Sequence, residues 1–156
     1  MKSLLVVYSY HHMNTEKVAK VFAQILGAPI KTPHQTDPQE IQQYDLIGFG
    51  AGIDSGKHYQ PILDFANKLP QTDNKKVFIF STAALTDNKK RGKDHSFLKE
   101  KLESKGYTVV NEFQCKGFNT NSFLRFFGGM NRGRPNSKDL KNAEIFALNL
   151  KKRLQT

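Results

Sequence analysis

A chain of 156 residues, 38% hydrophobic and 24% charged, is long enough for one domain with a sizeable core and too evenly mixed to be disordered or fibrous. Its one cysteine, Cys115, excludes an internal disulfide and a cysteine-based metal cluster, and suits a reducing cytoplasm. The net charge of +10, from 24 Lys and Arg against 14 Asp and Glu, favours acidic partners; the cations are scattered and no nucleic-acid-reading motif is present, so specific nucleic-acid binding is not expected.

Leu4 to Tyr8 is an apolar run without alternation, which suits a strand covered on both faces. At five residues it is too short for a membrane span or a signal core. Seven mostly polar residues follow, Ser9-Tyr10-His11-His12-Met13-Asn14-Thr15. Val18, Val21, Phe22, Ile25 and Leu26 then fall on one helical stripe, with Asn14 or Thr15 as its cap and Gly27 as its stop. A strand feeding a polar loop that opens a helix is either an ordinary connection or an anion site, because first-turn N–H groups lack partners and the helix dipole adds positive charge. The short hydroxyl and amide side chains of Ser9, Asn14 and Thr15 suit a phosphate monoester.

Ala28 to Pro33 is bounded by prolines and reads as an edge strand. Ile41 anchors a turn, and Tyr44 to Gly50 is the next buried strand, leaving through the small-residue loop Ala51-Gly52-Ile53-Asp54-Ser55-Gly56-Lys57. Ile62, Phe65, Ala66 and Leu69 form a helical stripe between Pro61 and Pro70. Lys76 to Phe80 is another apolar strand, with Ser81-Thr82-Ala83-Ala84 as its exit. The segment Leu85 to Asp94 is hydrophilic, and a helix is expected from about Ser96 to Gly106. Tyr107 to Val110 opens the last strand, which continues towards Cys115. A long glycine-containing loop follows, and a helix from Asn136 or Ser137 closes the chain.

Strands alternating with helices imply a parallel sheet covered on both faces, an α/β doubly wound three-layer sandwich with five strands in the order 2-1-3-4-5. The ligand crevice then lies at the C-terminal ends of strands 1, 3 and 4, over the loops after Tyr8, Gly50 and Phe80.

The first loop resembles the phosphate loop of the flavodoxin family, roughly Ser-x-Thr-Gly-Asn-Thr. Tyr8-Ser9 and Asn14-Thr15-Glu16 match its two ends, while Tyr10-His11-His12-Met13 departs from its middle and makes the loop one residue longer. The spaced landmarks Cys115-Lys116-Gly117-Phe118, Gly128-Gly129, Gly133-Arg134-Pro135-Asn136, Asp139-Leu140 and Asn142-Ala143 resemble short prokaryotic members of that family. The resemblance implies FMN as cofactor, its phosphate at residues 9–15, and its ring held by Ala51, Gly52, Ile53 and Asp54 on one side and Thr82, Ala83 and Ala84 on the other. It also implies an electron-transfer protein exchanging electrons with a partner protein, which the charge expects to be acidic. An NAD(P)H-dependent flavin or quinone reductase and a flavin-less interaction domain stand as alternatives.

Other chemistries find no support. The dinucleotide fingerprint lacks its third glycine at Gly48-Phe49-Gly50-Ala51-Gly52-Ile53, no P-loop is present, and Ser55 falls one place late for a nucleophile elbow. Strand 1 ends without the acidic pair of a response regulator. His11 and His12 lack the spacing of helical metal ligands and serve either a phosphate or solvent. No catalytic side chain and no metal ligand is expected. Phe123, Phe126 and Phe127, interleaved with Arg125, Arg132 and Arg134, read either as a flap or partner surface or as a satellite core under a long loop.

Overall fold

A computed structural model describes residues 1–120 and 122–155, and the side chains of these apart from residues 122 and 123. The sequence reading at Phe123 therefore lies outside the described side chains. Six strands form the sheet: β1 (Ser3–Tyr8), β2 (Ile30–Lys31), β3 (Leu46–Asp54), β4 (Lys57–His58), β5 (Lys75–Ala83) and β6 (Tyr107–Lys116). Four α-helices accompany them: α1 (Asn14–Leu26), α2 (Gln60–Lys68), α3 (Asn88–Glu103) and α4 (Ser137–Gln155).

The parallel strands run in the order β2-β1-β3-β5-β6, and β4 pairs antiparallel with the end of β3. With that two-residue hairpin arm set aside, this is the doubly wound order 2-1-3-4-5. β1, β3 and β5 are buried over most of their length because helices cover both faces. On one face α1 and α4 enclose Leu5, Val7, Phe22, Phe78, Phe80 and Phe113. On the other α2 and α3 enclose Leu4, Val6, Phe49, Phe65, Ile79 and Leu98. Gly48 and Gly50 stand beside Phe78 and Phe80 across the β3–β5 ladder. A Cβ at either position would lie 2.5 or 2.2 Å from the neighbouring ring, so the sheet needs glycine to admit those rings.

Phe22 lies centrally, with the rings of Phe78, Phe80, Phe113 and Phe146 at 5.0 to 5.6 Å. α1 ends at Gly27 in the left-handed region (φ 62°), as its position predicts. Its start differs from expectation. Met13 is the N-cap, also left-handed, and Asn14 and Thr15 lie inside the helix. Two expected loops are strand instead: Ala51–Asp54 completes β3, and Ser81–Ala83 completes β5. α3 begins at Asn88, earlier than its apolar spacing indicates. No helix among the described residues is long and apolar enough to cross a membrane.

Candidate functional site

The C-terminal ends of β1, β3 and β5 meet the segment after β6 to form two joined spaces. A polar throat of about 30 Å³ is lined by Ser9, Tyr10, His11, Asn14, Thr15 and, opposite them, Gly52, Ile53, Tyr59, Thr82, Ala83, Ala84 and Gly117–Asn119. A wider, mainly apolar slot of about 420 Å³ continues from it through Ile53, Ala83, Ala84 and Asn119. Asp54, Ser55, Gly56, Leu85, Lys90, Leu124 and Met130 complete the slot.

Ten of the fourteen residues singled out from the sequence line the throat: Ser9, Tyr10, His11, Asn14, Thr15, Gly52, Ile53, Thr82, Ala83 and Ala84. Asp54 lines the slot. His12, Met13 and Ala51 line neither space. Ala51 is fully buried in the α2/α3 core, because successive strand positions face opposite sides of the sheet and Ala51 shares the face of Phe49. Met13 is 44% exposed. His12 turns to the segment after β6, with its Nε2 2.8 Å from Thr120 Oγ1 and its ring 4.3 Å from that of Phe118.

The start of α1 is held from outside the helix. Ser9 Oγ accepts the Glu16 N–H at 3.1 Å, which leaves the serine hydroxyl hydrogen to donate elsewhere. Asn14 donates through Nδ2 to the Phe118 carbonyl at 2.8 Å, and its Oδ1 is buried without a partner among the described residues. Gly117 packs so closely on this amide that a Cβ there would lie 2.8 Å from Nδ2. Thr15 Oγ1 and Thr82 Oγ1 share a hydrogen bond of 2.9 Å across the floor of the throat. His11 Nε2 accepts the Thr120 N–H at 3.1 Å and so clasps the two walls. Burial and then the neighbouring His12 hold the His11 pKa below its ordinary value, which keeps that acceptor unprotonated.

This donor set fits a phosphate monoester on a hydroxylated chain. The α1 N-terminus and the Ser9 hydroxyl hydrogen offer donors to an anion, and Asn14 Oδ1 is an acceptor that no described residue takes. Gly52 lets the Tyr59 ring lie close against its backbone, since a Cβ there would meet that ring at 2.5 Å.

Sequence reasoning missed the slot's outer wall of Leu85, Lys90, Leu124 and Met130, and also a buried polar cluster behind it. In that cluster Ser81 Oγ lies 2.7 Å from His95 Nε2, and His95 Nδ1 lies 3.0 Å from Glu112 Oε2. The order nucleophile, base, carboxylate is that of a hydrolase, yet Ser81 and His95 are both 0% exposed, so no substrate reaches the hydroxyl. Gln114 bridges Ser81 to Asp94, whose other oxygen takes Lys90 Nζ at 2.7 Å. The hydrogen bond from His95 is the main cause that pulls the Glu112 pKa down to about 2. His58 lies beside His95 with ring centres 5.0 Å apart and the rings tilted at 42°, and its complete burial pushes its pKa down to about 3. Cys115 is equally inert, because burial pushes its thiol up to about 12.

Comparison with known proteins agrees with this architecture. A family model described as a flavodoxin domain matches residues 5–149. An uncharacterised protein of Methanocaldococcus jannaschii is 45% identical over 152 residues, covering 97% of this chain and 99% of its own. Among solved structures, a flavodoxin from the domain Archaea superposes with a TM-score of 0.70 at 16% identity, covering the whole of both chains. Flavodoxin 2 of Bacillus cereus, in its oxidised form, superposes with a TM-score of 0.74 at 18% identity, over 98% of this chain and 99% of that one. At those identities the two structures speak for the fold, while the family match and the archaeal relative span nearly the whole sequence: this chain belongs to the flavodoxin domain family.

Proposed function

We propose that this protein binds FMN and carries electrons between partner proteins. The observation that carries the reading is the polar throat opening into an apolar slot at the C-terminal ends of β1, β3 and β5, with the unpartnered Asn14 Oδ1 inside it. The start of α1 and Ser9 hold the phosphate, Asn14 and the Thr15–Thr82 pair face the ribityl chain, and the slot takes the ring. FMN supplies one- and two-electron exchange when bound. The protein orients it and, through Ile53, Leu85, Leu124 and Met130, keeps water from the ring. Lys90 sets an ammonium in the slot wall, its charge balanced by the ion pair with the buried Asp94, and would supply a hydrogen-bond donor to a bound flavin.

The test is a visible spectrum of purified protein reconstituted with FMN, followed by anaerobic NADPH. Flavin bands that persist with NADPH and bleach with a reducing partner protein support the carrier. Bleaching by NADPH alone assigns a reductase instead, and no bands after reconstitution assigns a flavin-less domain.

A further inference from the structure

Two adjacent aromatic side chains lie outside both cores. Phe126 is 73% and Phe127 80% exposed, so neither of these two packs into the satellite core that their spacing also allowed. They sit on the short 3-10 helix Ser122–Phe127, whose Leu124 lines the slot. One turn of chain thus has one side in the slot and the other in solvent. Leu85, 57% exposed, and the slot-lining Met130 extend the apolar surface around the same mouth. Its charged margin is mostly cationic. Arg125 lies over the Phe126 ring at 5.0 Å, and Lys89 and Arg132 are exposed. The facing carboxylates are Asp54 in the slot wall and Asp87, which caps α3 through Lys90 N–H.

We propose that this mouth, centred on Phe126 and Phe127, is the docking surface for a redox protein with a carboxylate-rich rim. The inference rests on the electron-carrier reading and adds the place and polarity of contact. Exposed aromatics within a charged margin are the make-up of an interface anchor, and opposite charge on the partner steers the encounter. A second copy of this chain would bring two molecules of charge +10 together through their cationic margins, which disfavours self-pairing. An anionic bilayer would cap the slot without offering an electron donor or acceptor.

The FMN-loaded protein is tested with two probes of opposite charge. An acidic [2Fe–2S] ferredoxin gives one electron from its reduced cluster to the oxidised flavin; basic cytochrome c takes one electron from the reduced flavin onto its haem iron. The expected second-order rate with ferredoxin falls about tenfold as salt rises from low to physiological strength, and that with cytochrome c rises. Arg125→Glu with Arg132→Glu reverses both slopes, and Phe126→Ser with Phe127→Ser slows ferredoxin several-fold at every salt, while FMN affinity is unchanged in both. Rates and slopes that match the unaltered protein in both variants overturn the docking surface and leave the carrier reading standing. So does a dimer, or binding to phosphatidylglycerol vesicles, that the Phe126→Ser, Phe127→Ser protein loses. Failure of the unaltered protein to take up FMN overturns the carrier reading itself, and the inference with it.

Discussion

His11 ties two loops together through an acceptor that exists only while its ring is neutral. Its Nε2 takes the Thr120 N–H, and protonation would set N–H against N–H. The folded pKa lies below the ordinary 6.5, so the clasp is fully present above that value and is lost as pH falls through the lowered one. The titratable neighbour is His12, whose charge adds to the opening; Thr120 and Phe118 opposite carry none. Hydrogen exchange at the Thr120 amide, corrected for intrinsic rate, is expected to keep its protection above pH 6.5 and lose it on acidification below that, and His11→Ala to lack it throughout. Protection independent of pH and of His11 would contradict the clasp. The residues of this loop were legible in the sequence as a polar stretch before a helix. Their partners were not, because Phe118 and Thr120 stand more than a hundred positions away along the chain.

The elements show the same division between what periodicity reveals and what it hides. β1, β3, β5 and α1 declare themselves by apolar runs and stripes. The first half of α3 does not, since Asp94 and His95 dock it by hydrogen bonds where an apolar stripe would be expected. β4 escaped because it is two residues long, yet the Ser55-Gly56 pair at positive φ (52° and 77°) is a two-residue hairpin turn, and that signal was present. The polar docking has an energetic consequence. His95→Ala takes one hydrogen-bond partner from the buried Ser81 and one from the half-buried Glu112, leaving Gln114 and Lys99 as their others, and should cost roughly 2–4 kcal/mol, read as a lower urea midpoint. Acid should erode the same region. His58 is neutral in both states above pH 6.5, but below it the unfolded chain takes a proton that the folded protein refuses until about pH 3. Stability therefore falls by roughly 1.4 kcal/mol per pH unit in that window from this one group. Glu112 adds its own loss from 4.5 down to about 2. His58→Leu should flatten the decline between pH 6.5 and 5; an unchanged slope would show that another group is responsible.

At the scale of the whole molecule, the surplus of ten positive charges surrounds a site proposed to gain negative charge on reduction. The field favours the reduced flavin, and salt screens it over a length of about 8 Å at physiological strength. Potentiometric titration should show the second-electron potential falling as salt is raised, and a potential unmoved by salt would assign its control to groups in contact with the ring. The fold was legible at this scale because alternating strands and helices admit few topologies, and the doubly wound order places a crevice between β1 and β3. Which side chains close that crevice was not legible, since the wall built by Leu124 and Met130 comes from a loop without periodicity.

The account turns on a phosphate held where β1 passes into α1. Its most direct test is paired titration of the apoprotein with FMN and with riboflavin, which lacks the phosphate, repeated in Ser9→Ala. A charge-assisted phosphate site at a helix N-terminus should bind FMN at least about a hundredfold more tightly than riboflavin, and Ser9→Ala should lower FMN affinity about tenfold while leaving riboflavin unchanged. Equal affinities for the two ligands, or equal losses of both in Ser9→Ala, would contradict it.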